Sequence, residues 1–432
     1  MGTDPPPLRP EDEEHIRRIM ERVERSLRKS WPKVPQSYDE IEEEAQKIGE
    51  EVKRIIEDER ADAAGTGYKG SRLRCRCGGR AKYKGLNTKI LISRSGIHRI
   101  RRAYYYCASC RSGWCPLDTT LGLGPEECTP QVRGLAARFC SYLPFQLASG
   151  ELEVICGIKL AASTLEEYAY SVGRRLQAHW ALLEKQLLSG RISECEHRPP
   201  NLHIAMDGVF VFIDGDWREV KLGCAYQRAK DGGVDRCTYY ATRECSSDFG
   251  RRMRVVAHQS GLENCRNVAV LGDGIPWIWK EAAKHFPRRP QILDFYHVTQ
   301  HLWQIANARF GPLTETGRVW MTDQKNLLVT NRVADVIENV EEWQPKGIEN
   351  SDLKRRTLDY LREHLNRMQY KTFDDQGFHL GSGVIESGCK TVVQARMKGA
   401  GMRWSTQGAE AMLHLCANWR SNPSEGFDRF IN

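Results

Sequence analysis

The segment that decides the fold runs Leu202-His203-Ile204-Ala205-Met206-Asp207-Gly208-Val209-Phe210-Val211-Phe212-Ile213. Its apolar, β-branched and aromatic residues predict a strand buried inside a sheet. A single carboxylate, that of Asp207, interrupts the run, and a carboxylate in a buried strand is costly unless it is paired or bound to a metal. Asp207 is therefore the first candidate for a functional residue.

Strand and helix patterns alternate in the segments that follow. Strands are predicted at 219–226, 236–242, 267–271 and 291–293, and helical stretches at 248–260, 276–285, 298–375 and 383–418. Together with the first strand, this mixed order predicts an α/β domain with a five-stranded sheet.

Two further carboxylates occupy suggestive positions. Asp273 lies at the end of a predicted strand and is flanked by Gly272 and Gly274, which leave room for a metal and a phosphate. Glu386 lies at the start of a predicted helix. Taken one at a time, each acid has an ordinary structural explanation. Asp207 can lie in a turn, Asp273 at the end of a strand, and Glu386 in the first turn of a helix. Together, however, they resemble the order of acids in a ribonuclease-H-like core. Carboxylates suit Mg²⁺ or Mn²⁺, and two such ions can activate a nucleophile and stabilise a leaving oxygen.

Asp294 is a rival to Asp273, because it also follows a short buried strand. Its spacing from His297 allows a carboxylate–imidazole hydrogen bond at the start of a helix, which would be a structural role. The residues alone leave the choice between Asp273 and Asp294 open.

Fifteen cysteines without a secretion signal indicate a reducing compartment. Four of them lie in close pairs on either side of a predicted hairpin whose turn is Ser95-Gly96, as in a zinc ribbon. The candidate zinc ligands are Cys75, Cys77, Cys107 and Cys110. Since the first pair is Cys-x-Cys rather than Cys-x-x-Cys, Cys115 can replace one of its members. Buried cysteines without a metal are the alternative.

The chain divides into four predicted regions. These are a charged helical hairpin or dimerisation arm at 1–64, a zinc-ribbon-like unit at 65–125, a helical region at 126–195, and a catalytic domain at 196–432 with a helical insertion at about 298–375. The third region is consistent with a DNA-binding helix-turn-helix or with structural helices. No apolar stretch is long enough for a membrane span, and the net charge of +8 favours a polyanionic partner.

Long sequence blocks surround the candidate acids and the cysteines. They are Gly272-Asp273-Gly274-Ile275-Pro276-Trp277-Ile278-Trp279, Asp294-Phe295-Tyr296-His297, Gly381-Ser382-Gly383-Val384-Ile385-Glu386-Ser387-Gly388-Cys389-Lys390, Gly401-Met402-Arg403-Trp404-Ser405, Cys75-Arg76-Cys77-Gly78-Gly79 and Tyr105-Tyr106-Cys107-Ala108-Ser109-Cys110. They resemble the ISKra-type bacterial insertion-sequence transposases, within the wider Mutator-like DDE group. The resemblance covers residues 65–420, and the first 60 residues match no family that we can name.

The resemblance implies a DNA transposase with a ribonuclease-H-like core. It implies that Asp273 is catalytic and that Asp294 and His297 form the family's Asp-x-x-His signature. Together with the order of the acids along the chain, this makes Asp207, Asp273 and Glu386 the expected catalytic metal ligands. We accordingly expect magnesium or manganese, a structural zinc, DNA as partner, a homo-oligomer without a membrane association, and a bacterial cytoplasmic, nucleoid-associated location.

Basic and aromatic residues near the acids are candidates for contact with DNA. Phosphate contacts are expected from Lys390, Arg396, Lys398 and Arg403, and a solvated basic face is the alternative. Trp277 and Trp279 can stack on an unpaired base or pack in the core.

Two other functions stay open. The protein can be a domesticated, non-catalytic DNA-binding protein, although all three acids are present. It can also be a structure-selective nuclease that never joins strands. An assay for metal-dependent nicking distinguishes the transposase from a non-catalytic DNA-binding protein. A strand-transfer assay distinguishes it from a nuclease that never joins strands.

Overall fold

The computed structural model describes residues 10–30, 37–422 and 427–431. They form two compact units, the first from the described parts of 1–136, 145–165 and 431, the second from 137–144 and 166–430. Among the described helices, none combines the length and the apolar character needed to cross a membrane.

The first unit contains two charged helices, a small sheet and shorter helices. Its elements are α1 (Pro10–Ser30), α2 (Tyr38–Ala63), β1 (Arg72–Arg74), β2 (Arg80–Ser93), β3 (Gly96–Cys107), β4 (Ser112–Trp114), α3 (Pro116–Leu121), the start of α4 (Pro130–Cys140), and α5 (Phe145–Cys156). The strands form an antiparallel sheet in the order β1-β2-β3-β4. Helix α2 is capped at its start, where the Ser37 hydroxyl accepts a hydrogen bond from the Glu40 backbone N–H at 3.2 Å.

The second unit is a mixed α/β structure with many helices. Its elements are α6 (Ala162–Leu188), β5 (Asn201–Ile213), β6 (Asp216–Arg228), β7 (Val234–Thr242), α7 (Ser246–Gln259), β8 (Asn267–Gly272), α8 (Pro276–His285), β9 (Gln291–Leu293), α9 (Phe295–Phe310), α10 (Glu315–Leu328), α11 (Val333–Glu341), α12 (Ile348–Glu363), α13 (Tyr370–Asp375), α14 (Gly383–Gly388), α15 (Ala395–Met397), α16 (Thr406–Ser421) and α17 (Asp428–Ile431). A π-helical turn, Cys389–Gln394, joins α14 to α15.

The predicted five-stranded sheet is confirmed, with the order β7-β6-β5-β8-β9. Strands β5, β6 and β7 pair antiparallel, whereas β5, β8 and β9 pair parallel. Ala205 of β5 lies opposite Leu271 of β8, and Gly272 lies opposite Leu293 of β9. The carboxyl ends of β8 and β9 therefore reach the same edge of the sheet, beside the middle of β5.

The stretch from α9 to α13 is helical as predicted, and it separates β9 from the segment that carries Glu386. Helix α9 packs against both α10 and α12. It begins directly after β9, so its first turn lies at the same sheet edge as the ends of β8 and β9.

Candidate active site

Three predicted acids line one cleft at the edge of the five-stranded sheet. Asp207 lies in β5, Asp273 follows the last residue of β8, and Glu386 lies in α14. The cleft has a volume of about 260 Å³ and is lined by these acids and by Met206, His297, Gln300, Ser382 and Ile385. Segments far apart in the sequence thus place their carboxylates around one space.

Asp207 is held in a poorly solvated position. Its Oδ1 accepts a hydrogen bond from the Gly208 N–H at 2.7 Å, and its Oδ2 accepts one from the Cys389 thiol at 3.2 Å. Burial raises the pKa of the Asp207 carboxyl; these two hydrogen bonds oppose that rise, and the charges of Asp273 and Glu386 add to it. The cleft therefore concentrates negative charge, which a cation would neutralise.

Asp273 is fixed by its own turn and by a tyrosine. Its Oδ1 accepts a hydrogen bond from the Ile275 N–H at 3.1 Å, and the Tyr360 hydroxyl donates to its backbone carbonyl at 2.9 Å. Gly274 has a φ of +109°, and a Cβ there would lie 2.6 Å from Cε2 of Tyr360. A Cβ at Gly272 would lie 2.8 Å from a side-chain carbon of Ile278. On the side where a Cβ would lie, the space beside these glycines is therefore filled by the side chains of Tyr360 and Ile278.

Glu386 lies in the first turn of α14, and its side chain is exposed to the cleft. The Ser382 hydroxyl donates a hydrogen bond to its Oε1 at 3.0 Å. The π-helical turn begins three residues later with Cys389, whose thiol contacts Asp207. One short helical segment therefore positions two of the three acids.

Asp294 has a different environment from Asp273. Its side chain is fully buried and caps α9, with Oδ1 accepting a hydrogen bond from the backbone N–H of His297 at 2.5 Å. Its Oδ2 accepts one from the backbone N–H of Ser382. The predicted carboxylate–imidazole bond was wrong, because the partner is the His297 backbone, while His297 is among the residues that line the cleft. Asp294 thus joins the start of α9 to the loop before Glu386.

The three acids surround the cleft without converging on one point. Within the described part of the chain, the four predicted zinc ligands are the group of metal-binding side chains whose ligand atoms all lie within 4.8 Å of one another. Among the described residues, the three acids do not form a second such group.

The cysteine cluster lies in the first unit, at the two turns of the small sheet. Cys75 Sγ lies 3.6 Å from Cys110 Sγ, and Cys77 Sγ lies 3.8 Å from Cys107 Sγ. Four sulfurs at this spacing can hold a tetrahedral ion, and zinc is the ion that four thiolates suit. Cys115 precedes the first residue of α3, without a capping hydrogen bond from its side chain, and is not part of the cluster. Cys75 and Cys77 therefore both belong to the cluster, and Cys115 does not replace either of them.

The four residues predicted to contact phosphate differ in their exposure to solvent. Lys390, Lys398 and Arg403 are exposed. Arg396 is 2% exposed, and its Nε donates a hydrogen bond to the Cys140 carbonyl at 2.7 Å. This burial argues against the phosphate contact that we predicted for Arg396 and gives it a structural role.

Both predicted stacking tryptophans contact other side chains of the protein. Trp279 is buried, and the Arg367 guanidinium lies 4.6 Å from its ring centroid. Trp277 is half-buried and meets Phe249 edge to face at 5.7 Å. The alternative that these rings pack within the protein is therefore favoured.

Sequence reasoning missed three residues that position the acids. Ser382 and Cys389 hold Glu386 and Asp207, and Tyr360 holds the turn of Asp273. Helical spacing offers a signal for Cys389, because it lies three residues after Glu386 and shares its side of the helix. No local signal marks Tyr360, which reaches Asp273 from a helix 87 residues away in the chain.

These features define a mixed α/β protein with an acidic cleft and a cysteine cluster suited to a metal. The profile of the uncharacterised protein family UPF0236 matches residues 145–425. The chain belongs to this family. A comparison with curated proteins gives no match.

Proposed function

We propose that this protein is a DNA transposase of a bacterial insertion sequence. The single observation that carries the proposal is that Asp207, Asp273 and Glu386, from three separate segments, line one cleft. The strand order of the five-stranded sheet also resembles a ribonuclease-H-like core, with one acid within its central strand and one just beyond the neighbouring parallel strand. The sequence blocks that contain Asp273 and Glu386 favour the ISKra type within the Mutator-like group.

Magnesium or manganese is the cofactor that the cleft would take. Its donors are hard carboxylate oxygens, and burial together with mutual repulsion raises the pKa of Asp207. When bound, two such ions would supply activation of the attacking oxygen and stabilisation of the leaving oxygen in phosphoryl transfer.

The protein's own residues would orient the ligands and the DNA. Ser382 fixes one oxygen of Glu386, and Cys389 fixes one oxygen of Asp207. His297 and Gln300 line the cleft, one turn apart on α9, where their side chains can donate hydrogen bonds to a phosphate. Asp294 has no direct contact with the DNA in this proposal and acts by holding the loop before Glu386.

DNA is the proposed partner in each step. Hydrolysis of a phosphodiester at the element's end would free a 3′-hydroxyl, which would then attack target DNA at the same acids. Lys390, Lys398 and Arg403 are exposed cations available to phosphates. We propose a homo-oligomer, in which two copies would hold two ends, in the bacterial cytoplasm and associated with the nucleoid.

The test is a cleavage and joining assay on duplexes that carry the inverted repeats flanking the coding region. Wild-type protein with magnesium should nick end DNA and join the new 3′-end to a second duplex. Asp207→Asn, Asp273→Asn and Glu386→Gln should each abolish both steps. Binding without nicking would favour the domesticated DNA-binding protein, and nicking without joining would favour a nuclease.

A further inference from the structure

The positive charge of the chain is concentrated in one segment of the first unit. Residues 63–117 contain 13 lysines and arginines and no aspartate or glutamate. Since the whole chain carries +8, the remaining residues sum to −5. The small sheet and its cysteine turns lie inside this segment, so they form a local cationic body on a protein that is otherwise slightly acidic.

The sheet divides its side chains between two faces. On β1 and β2, apolar residues alternate with charged ones, as expected for strands with one buried face. The inner face contributes Ala81, Tyr105 and Cys107 to a buried core, against which Leu73 and Trp114 pack. The residues between them in the sequence must then point to the opposite side.

We call that opposite side the outer face, and define it by Arg72, Arg74, Arg80, Lys82, Tyr104 and Tyr106. The strand register aligns Arg72 with Lys82, and Lys82 with Tyr106, in one row across three strands. Arg74 lies opposite Arg80 in the neighbouring row. The four cations are exposed, and within the described residues none of them forms an ion pair. By contrast, Arg28 and Arg54 on the charged helices are paired with glutamates.

Tyr104 completes the outer face in an unusual way. A Cβ at Gly113 of β4 would overlap the Tyr104 ring and hydroxyl. The ring therefore lies over the bare backbone of β4, where only glycine leaves space, and it stays half-buried beside the cations. Its neighbour Tyr106 lies opposite Gly113 in the register. Both tyrosines thus lie on the same face of the sheet as the four cations.

We propose that the outer face binds the phosphate backbone of duplex DNA. Side chains two residues apart on a strand lie about 7 Å apart, so cations on two adjacent strands form a flat patch that suits a regular polyanion. Arginine, lysine and tyrosine are common donors to DNA phosphates. The inference rests on the proposed function for the choice of DNA, and it deepens that function by locating a DNA contact in the first unit.

The cysteine cluster would make this face rigid. Cys75 and Cys77 lie in the turn between β1 and β2, and Cys107 and Cys110 lie at the turn between β3 and β4. A metal bound there ties both turns together, so that the cations keep their register. Ordered cations lose less side-chain entropy on binding than mobile ones.

The experiment measures binding of the full chain to a short mixed-sequence duplex over a salt series, in magnesium-free buffer so that no cleavage occurs. The outer-face variant carries Arg72→Gln, Arg74→Gln, Arg80→Gln and Lys82→Gln. Each phosphate contact contributes about 0.9 to the slope of log affinity against log salt. We expect the slope to fall by about 3 to 4 and the affinity at low salt to fall at least about tenfold.

A control variant removes the same charge from exposed lysines elsewhere, by Lys185→Gln, Lys280→Gln, Lys284→Gln and Lys346→Gln. Bound metal and circular dichroism verify that both variants fold. Equal weakening by the control, or an unchanged slope in the outer-face variant, would overturn the proposal.

The same measurement distinguishes duplex DNA from other anionic ligands. It also distinguishes a failure of this inference from a failure of the proposed function. Stronger outer-face-dependent binding to a single-stranded oligonucleotide, to RNA or to anionic phospholipid vesicles would overturn the choice of duplex DNA. Because cleavage plays no part in the measurement, a protein that binds through the outer face but never cuts end DNA would contradict the proposed function alone.

Discussion

Asp273 and Asp294 show how two similar residues acquire different roles. Each follows a short apolar strand that ends at the same sheet edge, so the sequence pattern leaves them equivalent. Asp294 uses both carboxylate oxygens for backbone N–H groups and is fully buried. Asp273 uses one side-chain oxygen for the Ile275 N–H and lines the cleft. The hydrogen-bond partners, rather than the local sequence, make Asp273 the better candidate for a metal ligand.

The first prediction compares Asp273→Asn with Asp294→Asn. We expect Asp273→Asn to fold normally and to lose magnesium-dependent cleavage by several orders of magnitude, because a metal-holding charge is removed. Asp294→Asn keeps one acceptor and loses the bond to either His297 or Ser382, so it should lower the free energy of unfolding by about 1–3 kcal/mol while some cleavage survives. Urea unfolding and cleavage of end DNA measure the two effects. A fully active Asp273→Asn with a folded but dead Asp294→Asn would reverse the assignment.

His203 gives a second prediction, on pH. It is fully buried in β5, and its Nε2 accepts a hydrogen bond from the His379 backbone N–H at 3.0 Å. Burial lowers the pKa of His203 to about 3. The unfolded chain therefore takes up a proton below about pH 6.5 that the folded chain refuses. Above that pH the protonation of His203 takes nothing from the free energy of unfolding. As the pH falls toward the pKa of His203 in the folded chain, the free energy of unfolding decreases progressively.

Below about pH 6 this histidine should lower the free energy of unfolding by about 1.4 kcal/mol per pH unit. His203→Gln keeps an acceptor and cannot titrate, so its unfolding free energy should fall less steeply. The measurement is urea unfolding of both proteins over a pH series, with His15→Gln in the charged helix α1 as a control. Parallel pH profiles for wild type and His203→Gln would contradict the prediction.

The candidate site could be predicted only in part from the sequence. Asp207, Asp273 and Glu386 interrupt or end apolar segments, and such positions are visible because a buried charge needs a reason. The burial of Arg396 was not visible, because a basic residue in a helix looks the same whether it faces solvent or a backbone carbonyl. Long-range partners such as Tyr360 depend on packing that no local pattern records.

At the scale of elements, β2 shows where a pattern was overlooked. We predicted a hairpin from its turn at Ser95-Gly96, without using the pattern of the long strand before that turn, which begins at Arg80. Its first part, Arg80-Ala81-Lys82-Tyr83-Lys84, alternates charged with buried or half-buried residues, which is the pattern of a strand with one solvated face. Small and aromatic residues between cations carry little hydrophobic signal, and a metal held by the cysteine cluster would supply part of the stabilisation that a larger core would give.

A third prediction concerns zinc in this small sheet. Its core consists of a few residues around Tyr105, so we expect about one zinc per chain and loss of the sheet when the metal is removed. Cys107→Ser should lose zinc, whereas Cys115→Ser should keep it because Cys115 lies outside the cluster. Metal analysis and circular dichroism with and without chelator measure both outcomes. A metal-free protein that keeps this sheet folded would refute the prediction.

Helix packing in the second unit gives a fourth prediction. Gly173 of α6 lies so close to α16 that a Cβ there would be 2.8 Å from Cα of Ala411. Gly173→Leu should therefore lower the free energy of unfolding by about 1–3 kcal/mol through overpacking. Gly150→Ala in α5 is the matched control, because a Cβ there meets nothing within 4 Å. That change should be neutral or stabilising by up to about 1 kcal/mol. Thermal unfolding distinguishes them, and equal effects of both changes would contradict the close approach.

At the scale of the whole molecule, each compact unit has its own candidate metal site. The cysteine cluster belongs to the first unit, and the acidic cleft belongs to the second. The order of elements was readable from the sequence, because periodicity is local. The assignment of 137–144 to one unit and 145–165 to the other was not readable, because it depends on which surfaces the α4 and α5 helices bury.

The last prediction is that zinc and magnesium protect different parts of the chain. Hydrogen exchange measured by mass spectrometry should show that a zinc-selective chelator speeds exchange in peptides from 72–114 and leaves those from β5, β8 and β9 unchanged. Added magnesium should slow exchange around Asp207, Asp273 and Glu386, because a ligand that binds only the folded state stabilises it. Asp207→Asn removes a carboxylate whose pKa is raised by burial. Without magnesium, the variant should therefore exchange more slowly than wild type in the second unit. Added magnesium should not slow exchange in the variant any further. The zinc response of Asp207→Asn should match that of wild type, which makes each metal the control for the other. If the chelator opened both units together, or if magnesium protected the small sheet instead of the cleft, the assignment of one metal site to each unit would be wrong.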